Sequence, residues 1–318
     1  MSNDRPLELK PRLAISIDRV RAIVRQVSSQ EVRDVTELHG GEISTVLEIS
    51  LADAPACILK IYPASLQWKM AKEVYVLGLL RDLGVAIPKI LLADETRSVI
   101  DLNYLLMTRL DGTVLGQREA TLSDAELFDI YAEMGVALRQ INDVTLDSFG
   151  YIGPNGVWTS HPSNHAYMSA QFERKLMEFG TRGGDPALAA RIRGSVTARQ
   201  HLFNAASTPR LCHYDFHAGN VLVTSQGQPH LSGIVDFENA TSGDPLMDVA
   251  KALYYFKAKD APKRDGLLTG YGTIERPDWQ QTLGLYRLYC TLELWCWMAQ
   301  IGKSDTLAGL TRELANDA

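Results

Sequence analysis

Hydrophobic and polar positions change their spacing near residue 30. Before that point, apolar residues recur every three or four positions, which predicts a helix that Ser16 caps. After it, the segments VRDVTEL, STVLEISL and CILKIYP combine β-branched residues with alternating polarity, which predicts three strands. Short polar turns separate these segments, so we expect an antiparallel meander.

The helical period returns over residues 65–84, where Ser65 is the expected cap and Gly84 the expected end. Two further strand patterns follow at residues 87–95 and 103–110. The first 110 residues therefore predict a five-stranded sheet with one helix after the third strand.

Beyond residue 110 the pattern is mainly helical. Ser123 and Glu126 form a capping box ahead of an apolar stripe. Residues 149–165 are rich in Gly, Pro, Ser and Asn, which predicts a loop. Further helices are predicted at residues 165–179, at residues 186–205 and over most of the chain after residue 240. Two short strands are predicted within residues 211–224 and 230–237. The chain thus divides into a small sheet-rich part and a larger helical part.

Length, composition and charge are those of an ordinary folded protein. The 318 residues suffice for two halves with separate cores, and 46% of them are hydrophobic and 22% charged. A net charge of −6 without a dense Lys/Arg cluster argues against nucleic acid as a partner. No stretch has the form of a signal peptide or a membrane span, and the four cysteines lack metal or redox spacing. We expect a cytoplasmic monomer or homodimer that binds neither nucleic acid nor membranes.

Two charged residues stand where the pattern predicts burial. Lys60 lies inside the apolar third strand, and Glu73 lies on the apolar stripe of the following helix, whereas Lys69 and Lys72 lie off that stripe. An unpaired buried ion costs several kcal/mol, so an ion pair between Lys60 and Glu73 would satisfy both residues. The alternative is that Glu73 lies at the edge of the stripe and is solvated, as single helical glutamates usually are.

The segment LCHYDFHAGNVLVT sets Asp215 and Asn220 in a loop between strands, and Asp236 ends the next predicted strand. Carboxylate and amide oxygens are the ligands that Mg²⁺ prefers, and a further carboxylate can accept a proton. The alternative is a polar turn with local Asx hydrogen bonds, which is the usual structure of such a loop. The lysine and glutamate that precede it in the chain favour a phosphoryl-transfer site instead.

The chain resembles the aminoglycoside phosphotransferase family, which includes choline-kinase-like enzymes and lies within the protein-kinase-like superfamily. The resemblance rests on HYDFHAGN…IVDFENATSGDPLMDVAKA, which matches the family pattern of His-x-Asp-x-x-x-x-Asn, then Asp, then Gly-Asp-Pro-x-x-Asp. It covers roughly residues 30–260. It implies a bilobal α+β kinase-like fold, with ATP and Mg²⁺ as cofactors. Residues 1–106 would be the nucleotide-binding lobe, 107–112 the linker, and 113–318 the catalytic lobe.

The resemblance implies a role for each matched residue. Asp215 would be the catalytic base or would orient the acceptor hydroxyl. Asn220 and Asp236 would bind Mg²⁺. Lys60 would hold the α- and β-phosphates of ATP, and Glu73 would hold Lys60.

The resemblance also implies a nucleotide-binding surface around these residues. Backbone groups of the linker segment MTRL, which includes Met107 and Arg109, would bind adenine. Gly40 and Gly41 would cover the phosphates, although a glycine pair alone more often marks a hairpin turn. Ser44 would add a hydroxyl to the phosphates.

Two aspartates, Asp244 and Asp248, would brace the catalytic loop in the same resemblance. The chain also departs from the family pattern. Tyr214 stands where the family usually has Gly, and its role is unexplained by the sequence. Asp236 and Phe237 are followed by Glu238 and not by glycine, so the Asp-Phe-Gly switch of protein kinases is absent.

The helix predicted near residues 278–302 carries the candidates for acceptor binding. Glu293 is its interior acid. It shares a helical face with three aromatic residues, Tyr286, Tyr289 and Trp297. A carboxylate among aromatic rings suits an ammonium group. Alternatively, the aromatics are core and Glu293 pairs with Arg287 or with a base on another helix. Glu238 is a second candidate for an amine contact.

These residues suit a cationic acceptor, and the resemblance implies an aminoglycoside or a similar cationic antibiotic and thus an antibiotic-resistance enzyme. The alternative is a metabolic kinase for an amino alcohol, an amino acid or a sugar. A hypothesis of another class is a pseudokinase that binds nucleotide and acts as an interaction module. The presence of every catalytic residue type in the sequence argues against this last hypothesis.

Overall fold

The computed structural model describes residues 15–38, 43–224 and 226–318. The first helix, α1 (Ile17–Val24), begins at the predicted cap, since Ser16 Oγ accepts a hydrogen bond from the Arg19 amide at 3.4 Å. Its apolar face is buried, and it packs near the first strand of the sheet.

The predicted five-stranded sheet is present. Its strands are β1 (Val32–Glu37), β2 (Thr45–Leu51), β3 (Cys57–Ile61), β4 (Ile90–Asp94) and β5 (Tyr104–Thr108). They pair antiparallel in the order β1-β2-β3-β5-β4. Because β5 extends to Thr108, the strand includes the first two residues of the predicted linker. We call residues 15–108 the sheet half and residues 113–318 the helical half.

The helix α2 (Trp68–Leu80) connects β3 to β4, as predicted. The predicted cap is wrong, because Ser65 lies in a short 3₁₀ turn and Gln67 takes the cap position without a side-chain hydrogen bond. Gly84 lies beyond the helix end with a φ of 75°, a conformation that glycine adopts without strain.

The helical half contains α3 (Leu115–Arg118), α4 (Asp124–Asn142), α5 (Asn164–Thr181), α6 (Pro186–Arg199), α7 (Pro245–Tyr254), α8 (Ala261–Tyr271), α9 (Trp279–Gln300) and α10 (Ser304–Asp317). The predicted capping box is present at α4, where Ser123 and Glu126 bond reciprocally. Asp185 caps α6 ahead of Pro186 at its first position.

Short strands lie between these helices. They are β6 (Thr113–Val114), β7 (Gly150–Gly153), β8 (Gly156–Val157), β9 (Arg210–Cys212), β10 (Val221–Val223), β11 (Leu231–Ile234) and β12 (Thr241–Gly243). They form two sheets, with the orders β11-β10-β6 and β8-β7-β12-β9. The loop predicted at residues 149–165 is therefore wrong in part, since it contains the hairpin β7–β8. That hairpin is stabilised by pairing with the distant β12, which the local sequence does not reveal.

Two clusters of buried apolar side chains support the fold in the described part of the chain. One lies between the sheet and α1. The larger one joins α2 to the helical half and includes Met70 and Leu77 of α2 with Phe216 and Phe237. Because α2 contacts β4 of the sheet and also β7 of the helical half, its charged residues lie between the two halves.

The four cysteines are free and buried, so they pack as small hydrophobic residues. Burial raises the pKa of the Cys57 thiol to about 11. No helix within the described ranges has the length and apolar character that crossing a membrane requires.

Candidate active site

The predicted ion pair between the third strand and the following helix is present. Lys60 Nζ lies 2.8 Å from Glu73 Oε2, and both residues are buried. Tyr62, two residues further along β3, donates its hydroxyl hydrogen to the same oxygen. The alternative of a solvated Glu73 is wrong, because α2 packs against the sheet at this point.

Lys60 contacts two more carboxylates. Its Nζ lies 2.7 Å from Asp236 Oδ1 and 2.9 Å from Glu238 Oε2. Burial acts to lower the pKa of Lys60, but the three carboxylates, Asp236 foremost, outweigh it and raise the pKa well above the ordinary value. The lysine therefore keeps its positive charge.

A left-handed residue directs these carboxylates toward Lys60. Asp236 follows β11 with a φ of 68°, which is unusual for a residue other than glycine. The turn that results points Asp236 and Glu238 at the same ammonium group, and the Phe237 amide donates to Glu73 Oε1 at 3.2 Å. Burial raises the pKa of Asp236, the charges of Glu238 and Glu73 raise it further, and Lys60 opposes them.

Glu238 lies beside Asp236, and its carboxylate is paired within the protein. It is buried, and its Oε1 is 3.0 Å from Lys69 Nζ while its Oε2 faces Lys60. Ser44, which is also buried, donates its hydroxyl hydrogen to Glu238 at 3.2 Å. The prediction that Glu238 contacts an acceptor amine is therefore wrong, because two lysines already compensate its charge. Burial raises the pKa of Glu238, but Lys60 and Lys69 lower it by more, to about 2.

Lys69 and Lys72 are both buried, although the sequence pattern places them off the buried stripe of α2. The reason is that α2 is covered on two sides. Lys69 Nζ donates to Glu238 and, at 2.8 Å, to Asn239 Oδ1. Lys72 Nζ lies 5.7 Å from the centroid of the Trp68 ring.

The loop after β9 carries Asp215 in a fixed backbone. Asp248 accepts hydrogen bonds from the amides of His213 (2.7 Å) and Tyr214 (2.6 Å). The His213 Nε2 donates to the Val235 carbonyl at 3.1 Å, which leaves Nδ1 to accept from the Asp215 amide at 3.3 Å. The predicted bracing of the catalytic loop by Asp248 is confirmed.

Asp244 has a structural position as well. It caps α7 through the Leu246 amide, and its Oδ2 accepts from Arg276 (2.9 Å) and from the Tyr286 hydroxyl (2.8 Å). It thereby ties α7 to α9, in agreement with the structural role that the resemblance implies.

The Asp215 carboxylate has a neighbour on each oxygen. Asn239 Nδ2 donates to Oδ2 at 3.3 Å, and His217 Nε2 lies 3.5 Å from Oδ1. The side chain of Asp215 is 24% exposed. Burial lowers the pKa of His217, while the Asp215 charge opposes this. Sequence reasoning found neither His217 nor Asn239, although both lie beside predicted site residues in the chain.

The two predicted metal ligands lie on segments that are bonded together. The Val235 amide donates to the Asn220 carbonyl at 3.0 Å, directly before Asp236. Asn220 Nδ2 donates to the Asp215 carbonyl at 2.8 Å, so its Oδ1 is the atom left for a metal. Carboxylate oxygens of Glu73, Asp236 and Glu238 also lie within 4.8 Å of one another. An amide oxygen and clustered carboxylates fit Mg²⁺.

The predicted nucleotide surface is described in part. Gly40 and Gly41 lie outside the described residues. Met107 is buried in β5. Arg109 pairs with Glu48 at 3.0 Å, and its amide donates to the Ala56 carbonyl at 3.3 Å. The amide of Arg109 is thus occupied within the protein, and the binding of adenine by this segment stays a prediction.

Glu293, which the sequence predicts to contact the acceptor, is paired with a base on another helix. Its Oε2 accepts the hydroxyl hydrogen of Tyr214 at 3.0 Å and lies 3.5 Å from Lys251 Nζ of α7. The Lys251 ammonium also lies 5.5 Å from the centroid of the Tyr214 ring. Arg287 pairs with Asp317 instead. The alternative that a base of another helix pairs with Glu293 is therefore confirmed.

The aromatic residues on the same face of α9 belong to the core. Tyr286 and Tyr289 are buried and contact Phe203 and Phe172 respectively. Trp297 is half-buried. The structure therefore does not gather these rings around Glu293 as an ammonium site.

The site combines a strand lysine that a helix glutamate holds with a loop aspartate, an asparagine and a second aspartate. This combination is typical of a kinase-like phosphotransferase. The sequence pattern of the phosphotransferase enzyme family matches residues 34–285, so the chain belongs to this family. It matches no curated protein sequence.

Solved structures show the same fold. A thermostable mutant of the aminoglycoside phosphotransferase APH(4)-Ia superposes with a TM-score of 0.73 at 18% identity, over 93% of this chain and 97% of that one. Its ternary complex with ADP and hygromycin B gives 0.74 at 18% identity, over 93% and 96%. A candidate fructosamine-3-kinase from Thermobifida fusca YX-ER1 gives 0.68 at 20% identity, over 93% and 98%.

Proposed function

We propose that this chain transfers the γ-phosphoryl group of ATP to a hydroxyl group of a small molecule, with Mg²⁺ bound beside the nucleotide. The observation that carries the proposal is the ion pair between Lys60 and Glu73, set 2.7 Å from Asp236 and joined through Asn220 to the Asp215 loop. One site thus contains a phosphate-binding cation, metal ligands and a proton acceptor.

In the proposed reaction, the bond between the γ-phosphorus and the β–γ bridging oxygen breaks while the acceptor oxygen forms a new bond to the γ-phosphorus. The bridging oxygen leaves with the electron pair as part of ADP. The hydroxyl proton passes to the Asp215 carboxylate. Mg²⁺, held by Asp236 and Asn220, would neutralise charge on the phosphate oxygens when bound. Lys60 stabilises charge on the phosphates, and Glu73 keeps Lys60 in place.

Two classes of acceptor are candidates. Aminoglycosides or similar cationic antibiotics are one, supported by the family and by the fold that the chain shares with APH(4)-Ia. Sugars or other uncharged hydroxyl compounds, the acceptors of a metabolic kinase, are the other class. The contact of Glu293 with Lys251 favours the second class. The lysine already compensates the negative charge of the carboxylate that would otherwise bind an ammonium group.

The proposal is tested by ADP release from ATP and Mg²⁺ with a panel of hygromycin B, other aminoglycosides, choline, amino acids, glucose, glucosamine and fructosamines. Activity with at least one compound, abolished by Asp215→Asn, is the expected result. Binding of ATP without turnover of any compound would instead support the pseudokinase hypothesis. A preference for aminoglycosides would make the first class of acceptor the function.

A further inference from the structure

The Asp215 carboxylate is connected to the sheet half through Asn239. Asn239 ends the short turn that follows Asp236. Its Nδ2 donates to Asp215 Oδ2 at 3.3 Å, and its Oδ1 accepts from Lys69 Nζ at 2.8 Å. Because Lys69 belongs to the first turn of α2, a residue of the sheet half reaches the candidate base through a single amide group.

The chemistry of these groups permits one orientation of the amide. An ammonium group only donates hydrogen bonds, and an ionised carboxylate only accepts them. The oxygen of the Asn239 side chain must therefore face Lys69, and its nitrogen must face Asp215. A flipped amide would place oxygen against oxygen at Asp215 and nitrogen against nitrogen at Lys69. Lys69 therefore orients the Asn239 amide so that its nitrogen donates a hydrogen bond to Asp215.

Lys69 is itself held by a row of alternating charges. It is buried, and its Nζ lies 3.0 Å from Glu238 Oε1, while Glu238 Oε2 lies 2.9 Å from Lys60 Nζ. Each charge in the row offsets the desolvation of its neighbour. The position of Lys69 is therefore linked to that of the lysine that faces the phosphates in the proposed function.

Asp215 keeps room for a substrate despite this contact. The amide addresses Oδ2, whereas Oδ1 has only the longer 3.5 Å contact with His217 among the described residues. A carboxylate offers about four acceptor positions, so a hydroxyl can still donate to it. The contact with Asn239 fixes the plane of the carboxylate without blocking it.

We propose that Lys69 and Asn239 are positioning residues for Asp215. Lys69 fixes the Asn239 amide, and the amide orients the carboxylate toward the acceptor hydroxyl. Neither residue touches the reacting atoms. The inference rests on the proposed function, in which Asp215 accepts the hydroxyl proton. It follows that turnover depends on the contact of α2 with the turn after Asp236, and not only on nucleotide binding.

The test uses steady-state ADP release from ATP and Mg²⁺, with the panel compound of highest turnover as acceptor. If no compound is phosphorylated, the hydrolysis of ATP by water is measured instead. We expect Asn239→Ala to lower kcat about 10- to 100-fold while the KM for ATP stays within about twofold. Lys69→Met should lower kcat similarly. The kcat of the double variant should lie within about twofold of the kcat of the less active single variant, since Lys69 acts through Asn239.

The matched control is Lys72→Met, the same substitution three residues along α2 at a buried lysine that packs against the Trp68 ring. It should leave kcat unchanged. Lys69→Arg, which keeps the donors, should recover a large part of the loss. If Lys69→Met does not fold, Asn239→Ser replaces it as the second variant, with a loss of kcat expected again.

A kcat of Asn239→Ala within about twofold of the unmodified chain would overturn the inference, as would losses that multiply in the double variant. The proposed function fails separately. If Asp215→Asn keeps full turnover, the assignment of the base is wrong. If Asp215→Asn is inactive but Asn239→Ala is fully active, only the positioning role is wrong.

Discussion

The Tyr214 hydroxyl donates a 3.0 Å hydrogen bond to Glu293 Oε2, and this bond joins the catalytic loop to α9. Tyr214 has a φ of 64°, which lies in the left-handed region where glycine is favoured. A tyrosine at this position is therefore less favourable for the backbone than a glycine would be. The Lys251 ammonium packs against the Tyr214 ring. Both groups that contact Glu293 reduce its ability to attract a cation.

If the acceptor binds beside Glu293 as the sequence predicts, Lys251→Met should change the charge preference of that site. Removal of the ammonium leaves Glu293 without a compensating charge, so cationic acceptors should gain about tenfold or more in kcat/KM relative to neutral ones. The comparison uses glucosamine and glucose, which differ at one substituent, with hygromycin B as a larger cation; affinity by calorimetry replaces kcat/KM for any compound that binds without turnover. Lys259→Met, at an exposed lysine, serves as the control. An unchanged ratio of glucosamine to glucose would contradict the argument.

Lys60→Met should abolish phosphoryl transfer and also destabilise the protein. The lysine is surrounded by Glu73, Asp236 and Glu238, and its loss leaves buried carboxylates uncompensated, at a cost of about 3–5 kcal/mol. Urea unfolding at pH 7 measures the stability, and ADP release measures the activity. A variant of unchanged stability would show that solvent or protonation compensates the carboxylates in the absence of the lysine.

Asp248→Ala should disrupt the catalytic loop without touching a substrate. The carboxylate accepts hydrogen bonds from two successive amides, those of His213 and Tyr214, and a third from Asn142 Nδ2 at 2.9 Å. Its removal leaves buried donors unsatisfied, which costs about 1–3 kcal/mol for each. We expect kcat to fall at least about 100-fold, because a displacement of about 1 Å at Asp215 suffices for that loss. Asp248→Asn, which retains one acceptor oxygen, should lose less in both ADP release and thermal stability.

The sequence predicted the antiparallel sheet, α2 and the pair of Lys60 with Glu73 because each follows from a local pattern. A strand lysine and a helical glutamate on an apolar stripe both require a partner, and the two requirements meet in one ion pair. The positions of Lys69 and Lys72 did not follow, because a helix covered on two sides buries residues that lie off its apolar stripe.

The partners of Glu238 and Glu293 could not be predicted for a related reason. Each carboxylate meets a lysine from a distant element, Lys69 or Lys251, and a sequence pattern carries no record of which helices pack together. The hairpin β7–β8 was missed because it pairs with the distant β12, which the local sequence does not show. Local charge requirements were thus readable from the sequence, whereas the choice among possible partners depended on the tertiary fold.

Lys72 should make the stability of the protein depend on pH above neutrality. Its side chain is buried with only 2% exposure. Burial, reinforced by the nearby charge of Lys69, lowers its pKa from the ordinary value of 10.5 to about 7, although Glu238 and Glu73 oppose the shift. Between these two values the unfolded chain binds more protons than the folded one, so this residue's contribution to stability rises with pH. Below about pH 7 both states are protonated, and the destabilisation is largest and constant.

Lys72→Met removes this ionisable group, so it should stabilise the protein by a few kcal/mol at pH 6–7. The advantage should shrink as the pH rises toward 10, where the native lysine is neutral when folded. Urea unfolding of both proteins at pH 6, 7, 8 and 9.5 measures the difference in the free energy of unfolding, and taking the difference cancels the titration of the groups that do not interact with Lys72. An advantage that stays constant with pH would indicate a change in packing alone, and a destabilised variant at pH 6 would show that the contact of Lys72 with the Trp68 ring outweighs the desolvation of its charge.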